Sequence, residues 1–259
     1  MRPEHHIKQH LMAKRVGLVP DHRIPAVVTH LRPTVVELFD TMPMPSSASR
    51  MPSDKPLFNT RATAVNPLND TIILLESALE LKAGRILKTM DVVELREQVK
   101  IEWTDLDGVA HEHTFDFWIR KRCGKRVAIA VKPLEKVASK RLIDMLILIK
   151  DQGIGGIADD VSFITERFAS EYAAANAEEI LFARRARNDD DVEEAKEILR
   201  QLRGRVHFGE LLKGLDIQAW RRTALWVLIG EGWLRPVIPA LIEDHTLMEV
   251  CIPNEGDNA

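Results

Sequence analysis

Cysteine is almost absent from this chain, with only Cys123 and Cys251 among 259 residues. Each lies far from a second Cys, which excludes a disulfide framework or a paired-cysteine zinc site and fits a reducing cytoplasm. Long apolar runs are also missing. The longest runs, such as the one around Leu146, are far shorter than a membrane span, and the opening MRPEHHIKQH lacks the apolar core of a signal peptide. There is no excess of basic charge: 36 Lys and Arg stand against 39 Asp and Glu, a net charge of -3. Contact with nucleic acid therefore has to come from local patches or be shared with a partner. No internal repeat occurs at solenoid periods. The expectation is a soluble, cytoplasmic protein without membrane contact, long enough for two modest domains.

The text changes character along the chain. Residues 1–65 are rich in Pro and Met and hold five of the nine histidines, His5, His6, His10, His22 and His30. The stretch MPMPSSASRMPSDKP has no usable period, so these residues are expected to form an extended arm or linker. Such an arm can order on DNA or on a partner. Without paired Cys or a fixed helical spacing, its histidines are expected to be solvated.

From Asn69, NDTIILLESALELKAGRILKTMD offers Asp70 as an N-cap and apolar residues at Ile72, Leu75, Leu79 and Ile86, which predicts a helix. QVKIEW alternates, DLDG turns, and HEHTFDFWIRKRCGKRVAIAV reads as two strands about a turn near Cys123 and Gly124. Residues 133–152 read as one helix, VSFIT as a short buried strand, and ERFASEYAAANAEEILFARRAR as another helix. Residues 66–187 are thus a mixed α/β domain. NDDDVEEAKEILRQLRG opens a second unit, 188–259, with an acidic helix start that suits the helix dipole. HFGELLKGL and DIQAWRRTALWVLIGEGW read as helices joined at Leu215 and Asp216. LRPVIPALIEDHTLMEVCIP reads as a two-stranded wing turning near Glu243 and Asp244. That order is a winged-helix pattern.

The stretch with most chemistry is TFDFWIRKRCGKRVAIAVKP, 114–133. A hairpin symmetric about Gly124 sets Asp116 opposite Lys132. Alternation then places Asp116, Trp118, Ala128, Ala130 and Lys132 on one face and Phe115, Phe117, Ile129 and Val131 on the other. A carboxylate and an ammonium so placed suit Mg²⁺-assisted attack of water on a phosphodiester, which needs hard oxygen ligands and builds negative charge. The preceding helix adds Glu76 and Glu80, which share a face. The same residues also read as a cross-strand ion pair of little worth and a solvated helix face.

ESALELKAGRILKTMDVVELREQVKIEW, the DG turn, TFDFWI and AVKP together resemble the TnsA endonuclease subunit of heteromeric transposases, a branch of the PD-(D/E)XK nucleases. The likeness runs over about 70–185, including VSFITERF and Asn176. It implies a restriction-endonuclease-like mixed sheet flanked by helices, followed by a C-terminal winged-helix domain. It also implies a catalytic set of Glu80 from SALE, Asp116 from FDF and Lys132 from AVKP, with Glu76 a weaker candidate. Mg²⁺, or Mn²⁺ in its place, would be held by Asp116, Glu80 and the carbonyl near Val131. Such subunits cut at the 5′ ends of the element, beside a DDE transposase that acts at the 3′ ends and an AAA+ ATPase that regulates both. Phe115 stands where the family has Pro. Ala130 replaces the usual acid or Gln two before the lysine, which implies one oxygen ligand fewer and weaker Mg²⁺ binding. A stand-alone restriction or repair nuclease, and a scaffold subunit bridging transposase and ATPase, are the two alternatives.

Four arginines are candidates for DNA or partner contact: Arg221 and Arg222 in the presumed recognition helix, and Arg184 and Arg185 in ARRAR. Trp220, Trp226 and Trp233 are expected to build the second core.

Overall fold

β-Branched residues decide the first element. In the computed structural model of the chain, Thr71–Leu75 is a strand, β2, paired antiparallel with β1, Ala62–Asn66. Ile73 and Leu75 are buried on the alternating face, where branched side chains fit a pleated surface better than a helix. Asp70, expected as an N-cap, instead closes the turn between the strands with φ 54°. The helix, α1, begins later, at Ala78–Thr89, with Ser77 as its N-cap. The boundary expected at 65/66 falls inside β1. The structure describes residues 43–46, 48–49, 62–139, 141–154, 156–214 and 217–252; the arm's five histidines lie outside them.

The central sheet is mixed. β3 (Val92–Thr104), β4 (Ala110–Lys121), β5 (Arg126–Val131) and β6 (Asp160–Ile164) lie in that order, antiparallel except for the parallel β5–β6 pair. In the DLDG turn the Asp105 carboxylate accepts the N–H groups of Asp107 and Val109. Gly124 takes φ 86° at the next turn, a left-handed position that a residue without Cβ adopts freely. Trp118 pairs with Ala128 and Arg120 with Arg126, so the hairpin is centred on Cys123 and not on Gly124. Continued by one residue, this register sets Asp116 opposite Ala130, not Lys132.

Helices cover both faces of the sheet. α1 packs Ala83 and Leu87 against Phe117, Ile129 and Val131, and α4, Glu171–Arg185, packs on α1. Gly84 permits the close approach, since a Cβ there would lie 3.1 Å from the Phe117 ring. On the other face, α2 (Leu134–Ser139) and α3 (Leu142–Asp151) bury Val137, Leu142 and Leu146 against Phe115, Trp118, Ala128 and Ala130. The single helix expected over 133–152 is broken at Arg141, which has φ 49°. The expected division into one core face and one charged face is also corrected: both faces are apolar core, as near-continuous runs such as VAIAV require. Phe115 joins Trp118 and not Phe117, so alternation breaks around Asp116.

Residues after 188 add α5 (Asp189–Gln201), β7 (Arg205–His207), a 3₁₀ turn (Phe208–Leu212), α6 (Gln218–Gly230), β8 (Leu234–Pro236) and β9 (Leu247–Val250). HFGELLKGL is therefore a 3₁₀ turn and not an α-helix, and β7 extends the hairpin to a three-stranded sheet ordered β7-β9-β8. The core here joins Leu199, Phe208, Leu225, Leu228 and Met248 with Ile180 and Ala183 of α4. Residues from Pro43 onward make one compact unit. Trp226 is buried, and Trp233 is half-buried beneath Lys196 and Arg200. Trp220 is 62% exposed, contrary to expectation, because it sits in the first turn of α6, ahead of the buried stripe of Ala224, Leu225 and Leu228. Among the described residues no helix is long and apolar enough to cross a membrane.

Candidate active site

Glu80 is placed by the start of α1. Ser77 accepts the Glu80 N–H at 3.1 Å and donates its hydroxyl to Glu80 Oε1 at 2.8 Å, while Oε2 accepts the Glu76 N–H at 2.8 Å. Ser77 caps the helix and Glu80 reaches back past the cap to the Glu76 N–H, a variant of the capping box in which Ser and Glu stand three apart. The carboxylate is thereby fixed and 6% exposed. Burial, then the charge of Asp116, pushes the Glu80 carboxyl above its ordinary range, against the cap hydrogen bonds and Lys132.

Asp116 is placed by the end of the hairpin. Pairing of β4 with β5 stops at Phe117 and Ile129, and a backbone N–H beyond that point needs another acceptor. Asp116 Oδ2 provides it, taking the Val131 N–H at 2.6 Å and the Lys132 ammonium at 3.1 Å. Lys132 follows directly on β5, and its own N–H is held by the Ile164 carbonyl of β6 at 3.0 Å. Three separate segments thus bring Glu80, Asp116 and Lys132 to one polar cavity of ≈ 450 Å³, which Glu76 also lines. Val131 contributes its N–H to Asp116 and its side chain to the apolar core.

Two further residues of this cavity escaped the sequence reading. His113 packs edge-on against Phe115, and its Nε2 is buried without a hydrogen-bond partner among the described residues. Burial, then the Lys132 ammonium, holds its imidazole below the usual range, with Asp116 opposing. Its only signal was the alternation of HEHTFDF. Gln98, 2% exposed, had none.

The donors fit a hard divalent cation in kind. Glu80 and Asp116 are oxygen ligands whose mutual repulsion a bound cation relieves. In number they fall short, since among the described residues no group of three or more His, Cys, Asp or Glu is arranged to hold a metal. Ala130 is fully buried in the α3-side cluster and does not line the cavity. Ala130→Glu is accordingly expected to lower stability by roughly 2 kcal/mol through overpacking and carboxylate burial, measured by thermal unfolding in EDTA.

Glu80→Gln separates capping from chemistry. Gln also serves at this position of a capping box, and the change removes a repulsive charge beside Asp116. Thermal stability is expected to stay level or rise; a clear loss in thermal unfolding would make the helix cap the main role of Glu80.

Of the four arginines expected at DNA or a partner, the structure consumes three. Arg184 is half-buried and donates to the carbonyls of Lys88 (3.0 Å) and Thr89 (2.7 Å) at the end of α1, and to Gly230 (3.2 Å) at the end of α6. A cation at two helix C-termini complements both dipoles. Arg221 is 7% exposed and paired with Glu194. Arg222 bonds Asp244 at 2.7 Å and lies over the Phe208 ring. Arg185 is left exposed.

No family model matches the chain, and no curated protein matches it.

Proposed function

We propose that this chain is a DNA endonuclease subunit of a heteromeric transposase, hydrolysing phosphodiesters at the 5′ ends of a mobile element with Mg²⁺, or Mn²⁺ in its place. The observation that carries this reading is the convergence of Glu80, Asp116 and Lys132 from α1, β4 and the end of β5 on one polar cavity. The mixed sheet with Glu80 on its flanking helix supports a restriction-endonuclease-like fold. The α5, 3₁₀, α6 and β7-β9-β8 arrangement supports a winged-helix domain that docks on the DDE transposase or the AAA+ ATPase. With a net charge of -3 and three of its arginines engaged internally, much of the affinity for double-stranded element ends is assigned to those partners.

In this mechanism Asp116 and Glu80 would hold the cation, which when bound would supply positive charge at the phosphate and acidify a water. Glu80, whose proton affinity is raised, orients that water and accepts its proton. Lys132 stabilises the charge that develops on the phosphate oxygens, and the half-exposed position of its ammonium gives it access to substrate. The short donor set favours one second reading, a scaffold subunit that keeps the fold.

Strand-resolved cleavage of duplexes carrying the element's own ends tests this, with the chain alone and with both partners, in Mg²⁺ and in EDTA. Mg²⁺-dependent 5′-end cutting in the assembly is the expected result. Cutting of arbitrary DNA by the chain alone would favour a stand-alone nuclease, and 3′ products without 5′ cutting would favour the scaffold.

A further inference from the structure

The β3–β4 ladder skips one residue opposite Asp116. Pairs form on either side, Glu97 with Phe117 and Val99 with Phe115, but Gln98 between them has φ 50°. A side chain with Cβ rarely adopts that conformation, and it persists where the surroundings impose it. Here the surroundings are the segment 43–49. Ser49 donates both its N–H and its hydroxyl to the Gln98 carbonyl, and Ser46 donates to the neighbouring Glu97 carboxylate.

The turned backbone has one visible consequence for the side chain. Gln98 lines the same cavity as Glu80, Asp116 and Lys132. It is 2% exposed, a buried carboxamide on the wall of a polar cavity. A site short of one oxygen donor gains from a carboxamide so placed the donor it lacks.

We propose that the Gln98 carboxamide oxygen is the third hard donor of the site, replacing the one that Ala130 cannot supply. The inference rests on the nuclease reading of the cavity. It explains why a strained residue stands opposite Asp116, and why the strand can carry an alanine two residues before Lys132. It also gives the 43–49 segment a role, that of holding a ligand-bearing turn in place.

Mn²⁺ binding to the full chain, followed by electron paramagnetic resonance, tests the assignment without reference to activity. Gln98→Leu keeps size and removes the donor, and is expected to weaken Mn²⁺ roughly tenfold; Gln98→Glu is expected to tighten it beyond wild type. Circular dichroism and thermal unfolding establish that each variant folds. Wild-type affinity in folded Gln98→Leu, with binding lost in Asp116→Ala, overturns the Gln98 assignment alone. Wild-type affinity in Asp116→Ala places the cation elsewhere and overturns both readings. If Gln98→Leu does not fold, Gln98→Glu decides: affinity no better than wild type overturns the assignment.

Discussion

On the endonuclease reading proposed above, Asp116→Ala and Lys132→Ala are expected to abolish cutting at the 5′ ends of the element while leaving 3′-end joining by a partner transposase intact. Cointegrates should then accumulate in place of simple insertions, read directly by sizing the products of a reconstituted reaction. Removing one group that stabilises transition-state charge costs about 10²–10³-fold in rate. Asp116 is expected to cost more, because its loss also frees the Val131 N–H and leaves Lys132 without its 3.1 Å partner.

Loss of fold does not explain the Lys132 result in advance. Its side chain is 36% exposed while that of Asp116 is 9% exposed, so the pair is only partly screened and losing Lys132 is expected to cost about 1–2 kcal/mol. Lys132→Ala should therefore stay folded, with a modestly lowered unfolding temperature, and still fail to cut. Asp116→Asn gives the matching control at the other position, since it keeps the size of the side chain and an oxygen able to accept the Val131 N–H. Unchanged 5′ cutting in both folded variants would leave the cavity a structural feature and turn the reading toward a scaffold.

The parts of this site that were legible in the sequence are those set by local chemistry. FDFWI and VAIAV are too apolar and branched for anything but buried strands, and Cys123-Gly124 marks a turn; Ser77-x-x-Glu80 also encodes a helix start, although Asp70 was expected there. What stayed hidden depends on partners distant in sequence. TIILL follows a helix-like pattern until β1 pairs with it, and β1 lies in residues taken for an arm. β7 is three residues long and is defined by β9, some forty residues on. Arg184 and Arg221 look like a DNA-facing charge until packing turns them toward helix ends and Glu194. Gln98 is the extreme case. A positive φ at a residue other than Gly leaves no trace in sequence, and without it QVKIEW reads as uninterrupted alternation.

Lys88→Met is expected to stabilise the protein by about 2–3 kcal/mol at pH 7. Lys88 sits in the last turn of α1 and is 8% exposed; among the described residues its ammonium hydrogen-bonds only the Val65 carbonyl, at 3.4 Å, and no carboxylate lies within ion-pair distance. Burial lowers its pKa to about 8, helped by Arg185 and Arg85 and opposed by Glu97. Each pKa unit between about 10.5 unfolded and 8 folded corresponds to about 1.4 kcal/mol against the charged folded form. Met retains the unbranched stem that packs beside Leu75 and Phe117 in a cavity of ≈ 550 Å³, and removes the charge. The pH dependence identifies the cause. Below pH 8 the ammonium is charged in both states and the full penalty is present. Between about 8 and 10.5 the unfolded chain still holds a proton that the folded chain has shed, so wild-type stability rises with pH relative to Lys88→Met. The gap between the two in chemical denaturation should therefore be widest near neutrality and close toward pH 10.5. A gap that stays constant across that range would mean that Met gains by packing alone, and a less stable Lys88→Met at pH 7 would mean that the buried ammonium is paired more strongly than its surroundings indicate.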